Sequence, residues 1–232
     1  MTALLEVFYQ PGKLFASLPE RKFTWVAPLI GCMLLGLVGY YSMLHYIGVE
    51  NLARQSMAMF ASRLSPEQMQ QALSQASSPA RIYSGYASAA LVSGLMLLLV
   101  SGMLAAFGMM AKVPPRFGVM FAMVALAFFP FQLITGLMTF MTLALSPDPA
   151  SLDFQHILAT NVGAFMNKNE TSKGLYSLMT SLDILTFAEI ILLSLGFGKV
   201  TKSGFGMGLA AVGCLWVLWV FAKMGMSLAF GT

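Results

Sequence analysis

The sequence predicts an all-α polytopic membrane protein with five transmembrane helices. Hydrophobic residues make up 58% of the chain and charged residues only 9%, with a mean hydropathy of +0.77, where a soluble domain carries roughly 25% charge. Five apolar runs, at 25–48, 83–111, 117–145, 176–198 and 205–230, each exceed the ~20 residues that cross ~30 Å of hydrocarbon. None of them alternates apolar with polar residues as the short strands of a barrel do.

The same composition narrows the chemistry. Glu6 stands where a cleavable signal carries basic residues, and the first apolar run is too long for a signal core, so the first span is expected to be an uncleaved anchor. The net charge of +4 suits an anionic leaflet and is too dispersed for a nucleic-acid surface. Cys32 and Cys214 fall in different spans and read as small buried hydrophobes. No zinc-ligand, P-loop or nucleophile-elbow pattern occurs, so neither a cofactor nor a metal is expected.

Residues 1–24 precede the first span. Leu4, Leu5 and Phe8, then Leu14, Phe15 and Leu18, give short apolar helical faces beside Lys13, Arg21 and Lys22. Such faces suit a cytoplasmic amphipathic segment in the headgroup layer, or a cap packed on the bundle. The membrane domain then occupies 25–232. Its first span carries Gly31, Gly36 and Gly39 and its second Gly94 and Gly102, small residues that let helices approach closely. Between them, 49–82 is polar, and Ser65-Pro-Glu-Gln68 has the capping-box pattern that opens a short helix outside the membrane. The third span contains Pro130, which predicts a kink and a freed carbonyl. The second outer loop, about 146–175, predicts a helix near 149–160 and carries the sequon Asn169-Glu-Thr171. Gly204 and Gly208 open the fifth span, where Gly206-Met-Gly208-Leu-Ala-Ala211 reads as packing and not as a dinucleotide loop, because no strand precedes it. Seven Lys and Arg flank the short connectors (Lys13, Arg21, Lys22, Lys112, Arg116, Lys199, Lys202), against five on the other side (Arg54, Arg63, Arg81, Lys168, Lys173). This bias puts the N-terminus in the cytoplasm and the C-terminus outside.

Four polar residues within or beside spans form the candidate site: Asp183, Glu189, Lys223 and His45. Charged groups in hydrocarbon must face protein, water or a partner. Asp183 lies 16 residues from Lys199 and Lys223 lies 20 from Ser203, about 24 and 30 Å of helix rise. Both fall in the outer half, so an Asp183–Lys223 ion pair is expected; the alternative is a snorkelling Lys223 with Asp183 on hydroxyl or backbone donors. Glu189, ten residues from Lys199, sits about 15 Å deep, near mid-membrane. It reads either as interhelical glue or as a proton- or ion-coupled station, with glue preferred because a transport path needs several polar stations. His45-Tyr-Ile-Gly-Val-Glu50 spaces a base and an acid loosely like a membrane acyl-transfer site, but too loosely to predict an enzyme.

Phe8-Tyr-Gln-Pro11, then Leu14-Phe15, precede a first span with Pro28, and the fourth span reads Ser181-Leu-Asp183 through Gly196-Phe197. This arrangement resembles the bacterial branch of the Yip family, five-span membrane proteins named for Rab-type GTPase interaction in eukaryotes. Asp183 and Gly196 match that pattern; Ala188 stands where the family often has Trp, and Glu189 extends beyond it. The resemblance implies no catalytic residue. For a bacterial member it implies a membrane adaptor, in some cases associated with export transporters of the ABC class. The expectation is therefore a non-enzymatic adaptor or assembly factor of a bacterial inner membrane. Its partners would be the lipid bilayer, other integral membrane proteins and a second copy of itself. The rival is a small transporter or channel using the intramembrane carboxylates, recognisable by a hydrated cavity that reaches Glu189.

Overall fold

A computed structural model of the chain describes residues 2–58, 65–110, 114–154, 157–167 and 170–230. Arg63, Lys112 and Lys168 of the charge count, and Asn169 of the sequon, lie outside these residues. The described residues are helical throughout, with one isolated β-bridge and no strand. Two short helices, α1 (Thr2–Tyr9) and α2 (Pro11–Ser17), lead into α3 (Val26–Tyr46). Two shorter helices follow, α4 (Val49–Ala58) and α5 (Pro66–Ala76), then α6 (Pro79–Gly108) and α7 (Phe117–Leu145). After the second loop come α8 (Lys173–Ser181), α9 (Ile184–Val200) and α10 (Phe205–Phe230). Among the described residues four helices are long and apolar enough to cross a membrane: α3, α6, α7 and Phe205–Leu228 of α10.

The helix α7 is the axis of the bundle. Met120 through Ala127 are buried without a break, so this stretch needs apolar residues all round. Cys32 of α3, Leu97 and Leu104 of α6, Leu193 and Phe197 of α9, and Val212 of α10 share its core. The outer sides of these helices carry exposed Leu95, Leu99, Leu218 and Phe221, the belt expected of surface meant for lipid. The N-terminal segment resolves as a cap on the bundle. Leu14 and Phe15 are fully buried against α7 and α9, and an Arg21–Glu6 ion pair of 2.8 Å ties its two ends together. Exposed Leu5, Tyr9 and Phe23 leave an apolar rim facing outward. Ser65 and Gln68 form the full capping box at the start of α5, with bonds of 3.2 and 2.9 Å.

Three expectations change. The run 176–198 is not one helix: it breaks at Leu182–Asp183, between α8 and α9. The loop forms no helix over 149–160 among the described residues beyond one turn at Pro149–Ser151. Its backbone is claimed by Gln55 of α4, whose amide donates to the Leu152 carbonyl (2.9 Å) and accepts from the Phe154 N–H (3.0 Å). Cys32 is buried, but Cys214 is exposed, because it lies on a side of α10 that no helix covers.

The glycines separate into different roles. A Cβ on Gly36 would meet the Ala89 carbonyl (2.7 Å) and Ser93 Oγ (2.9 Å), so α3 and α6 are in near-backbone contact there. On Gly208 it would run into the Ser194 carbonyl, and this contact sets the spacing of α9 and α10. Gly94 makes an ordinary contact with Leu29 (3.7 Å), and Gly102 has no neighbour within 4 Å. Gly204 lies outside the helices, with φ +85, as the left-handed residue of the α9–α10 turn. The helix α7 runs through Pro130, which frees the buried Leu126 carbonyl. Replacing Gly208 with Ala should destabilise the detergent-purified protein by about 2 kcal/mol or more, since backbone must move. Gly213→Ala, with no neighbour within 4 Å, should shift the thermal unfolding midpoint little, and equal shifts would contradict the α9–α10 contact.

Candidate functional site

The site begins with the break in the fourth apolar run. Leu182 and Asp183 leave helical geometry, and Asp183 becomes the N-cap of α9. Its Oδ1 accepts from the N–H groups of Leu185 (2.9 Å) and Thr186 (3.0 Å), two of the donors that a helix start leaves unpaired. Its Oδ2 accepts from the Thr160 hydroxyl. The loop supplies the rest through an antiparallel bridge between Asn161 and Asp183. The Ile184 N–H donates to the Thr160 carbonyl (3.2 Å), and the Val162 N–H to the Leu182 carbonyl (3.1 Å). Asn161 in turn accepts from the Ala164 N–H at 3.0 Å, fixing the loop's next turn.

Beneath this bridge lies an open-sided cavity of about 570 Å³ between α3, α7 and α9. On α9, Asp183, Thr186 and Glu189 follow at three-residue steps and so share one face. On α7, Gln132, Thr135 and Thr139 line the opposite wall at spacings of three and four. Thr160 and Asn161 roof it, and Leu35, Phe128, Phe131 and Leu185 supply apolar wall. No Lys, Arg or His lines it among the described residues, whose ionisable lining groups are Asp183 and Glu189. They are not equivalent. Asp183 already accepts three hydrogen bonds, whereas no hydrogen bond or ion pair among the described residues reaches Glu189. Gln132 Oε1 is buried with no hydrogen-bond partner. Towards the other end the interior is filled, with Met123 and Phe15 packed over Gly196.

The four polar residues singled out in the sequence divide among three places. Asp183 and Glu189 line the cavity together. Lys223 does not pair with Asp183; its Nζ donates to Thr180 Oγ1 (2.9 Å) and Ser181 Oγ (3.3 Å) in the last turn of α8. That position, beside the carbonyl end of a helix, favours a cation. Lys223 thus reaches residues two and three positions before Asp183, but the break turns Asp183 into α9. His45 stacks on Tyr41 and meets Tyr46 edge-on, within an aromatic group that extends to Phe140. Glu50, its spaced acid, pairs with Arg54 at 2.6 Å. Gln132, Thr135, Thr139, Thr160 and Asn161 are members that the sequence reading passes over. The spacing on α7 is a helical-face signal that was available within the third apolar run. No family model matches the chain, and neither a curated protein nor a solved structure matches it.

Asp183→Ala should lower stability by about 2 kcal/mol, combining a lost cap with a lost loop bond. Its effect and that of Lys223→Met should add within about 0.5 kcal/mol. A coupling well above that in a double-mutant cycle would restore the ion pair.

Proposed function

We propose that the chain is a five-span, non-enzymatic membrane protein that admits a small polar solute into the cavity beside α9. In this reading the N-terminus is cytoplasmic, the C-terminus lies outside, and the membrane is a bacterial inner membrane. The observation that carries it is the polar cavity descending from the loop roof at Thr160 to Glu189, with hydroxyl and amide groups on the α7 wall and hydroxyl and carboxyl groups on the α9 wall. A transport path needs a succession of polar stations, and Asp183, Thr186 and Glu189 facing Gln132, Thr135 and Thr139 supply one. The span added to the four long helices would be α9, the fourth in chain order. Its 17 residues reach about 26 Å, and the loop that satisfies its broken start supports irregular backbone at that depth. The filled opposite end, with the N-terminal cap over it, suits a state open to one side only.

A second reading is an adaptor or assembly factor that packs against other integral membrane proteins or a second copy, as the Yip-like pattern implies. It draws on Gly102 of α6 and Gly213 of α10, whose Cβ directions have no neighbour within 4 Å. The two readings differ in whether the cavity holds water. In a chain lacking both native thiols (Cys32→Ala, Cys214→Ala), Thr135→Cys and Thr139→Cys should react with a membrane-impermeant thiol reagent added from one side of the membrane. Leu95→Cys, on the lipid belt, should not. Unreactive cysteines at both cavity positions would refute solute entry and leave the adaptor reading.

A further inference from the structure

We propose that the occupant of this cavity is an amphipathic organic cation: a protonated primary or secondary amine carrying an aromatic or alkyl body. The inference rests on the solute-entry reading and specifies its ligand. Size sets the first bound. At about 570 Å³ the cavity lies within the range of small-molecule sites, whereas one water takes only about 30 Å³. A single inorganic ion would leave most of the space, and all of its apolar wall, unused.

Charge and hydrogen bonding set the second. The lining carries two carboxylates and no basic side chain among the described residues, so an anion is disfavoured. The cap and the loop already engage Asp183, which leaves Glu189 as the uncommitted carboxyl group. Gln132 Oε1, across the cavity on α7, is a buried acceptor with no partner. Both unfilled groups accept hydrogen bonds. An occupant that satisfies them brings N–H donors together with positive charge, which a protonated amine does and a quaternary ammonium does not. Phe128, Phe131 and Leu35 complete the match. They offer apolar surface for the body of the ligand, and an aromatic face attracts the cationic head.

The test uses the full chain in lipid nanodiscs, with 2-phenylethylammonium chloride as the probe. Calorimetric titration should show saturable binding that weakens at least tenfold in Glu189→Gln and several-fold in Gln132→Met. Neutral 2-phenylethanol, benzyltrimethylammonium and sodium chloride should each compete at least tenfold less well. As a check independent of whether those variants fold, the amine should protect Thr135→Cys from the impermeant thiol reagent in protein that keeps Glu189 and Gln132. Absence of binding, binding unchanged in Glu189→Gln, or equal protection by the alcohol, the quaternary cation or sodium would overturn the assignment. A cavity cysteine that reacts but is not protected removes the amine and keeps solute entry; unreactive cysteines at both Thr135 and Thr139 remove both.

Discussion

The structure depends on the obligation to satisfy backbone polar groups where the fourth apolar run breaks. A gap between two helices exposes carbonyls at the end of one and N–H groups at the start of the next, and where these are shielded from water the protein itself must supply their partners. Asp183 takes two of those N–H groups, and residues 160–162 take the flanking positions as a one-bridge ladder. The loop is therefore drawn inward and cannot lie on the surface as a helix. Its entry is held by Gln55 and its turn by Asn161. The roof of the cavity is thus a consequence of the broken helix.

The two ends of the bundle follow different packing rules. Around Met120–Ala127, α7 is enclosed by α3, α6, α9, α10 and the N-terminal cap, and residues 120–127 of α7 are themselves all apolar. Gly196 lets Met123 and Phe15 close over α9, since a Cβ there would come within 2.6 Å of the Met123 sulfur. Beyond Pro130 that enclosure ends. The same helix turns Gln132, Thr135 and Thr139 towards α9, and the facing wall carries carboxylates. The change from a filled to a polar interior coincides with the proline, where α7 loses one rung of its own ladder.

Much of the fold was legible because hydrophobic run length is a direct reading of bilayer thickness. The capping box at Ser65 and the close approaches at Gly36 and Gly208 were legible too, since each depends on residues adjacent in sequence or on one small side chain. The break at Asp183 was not. Run length counts apolarity and is blind to an acidic residue acting as an N-cap, although Leu182-Asp183-Ile184 carries that signal. Treating 176–198 as continuous led to the pairing of Asp183 with Lys223, whereas the cation answers the end of α8. The loop helix failed because long-range partners, Gln55 and Asp183, outbid local propensity. The polar stripe of α7 was readable at helical spacing but was submerged in a run chosen for its apolarity.

The acidic and basic groups of α9 and α10 differ in what they signify. A carboxylate with a full set of donors is architecture: remove Asp183 and the loop and α9 lose their common anchor. A lysine shared by two hydroxyls at a helix end is architecture as well. If all such groups were structural, each would have found a partner, because an unpaired one carries the full desolvation cost. Neither the Glu189 carboxyl group nor Gln132 Oε1 accepts a hydrogen bond among the described residues, and both line the same cavity. The desolvation cost of polarity there is offset when something outside the chain completes it. Water does so generically, but the aromatic and aliphatic wall beside these acceptors would gain nothing from water. The combination of unmet acceptors with apolar surface therefore argues for an occupant having both characters.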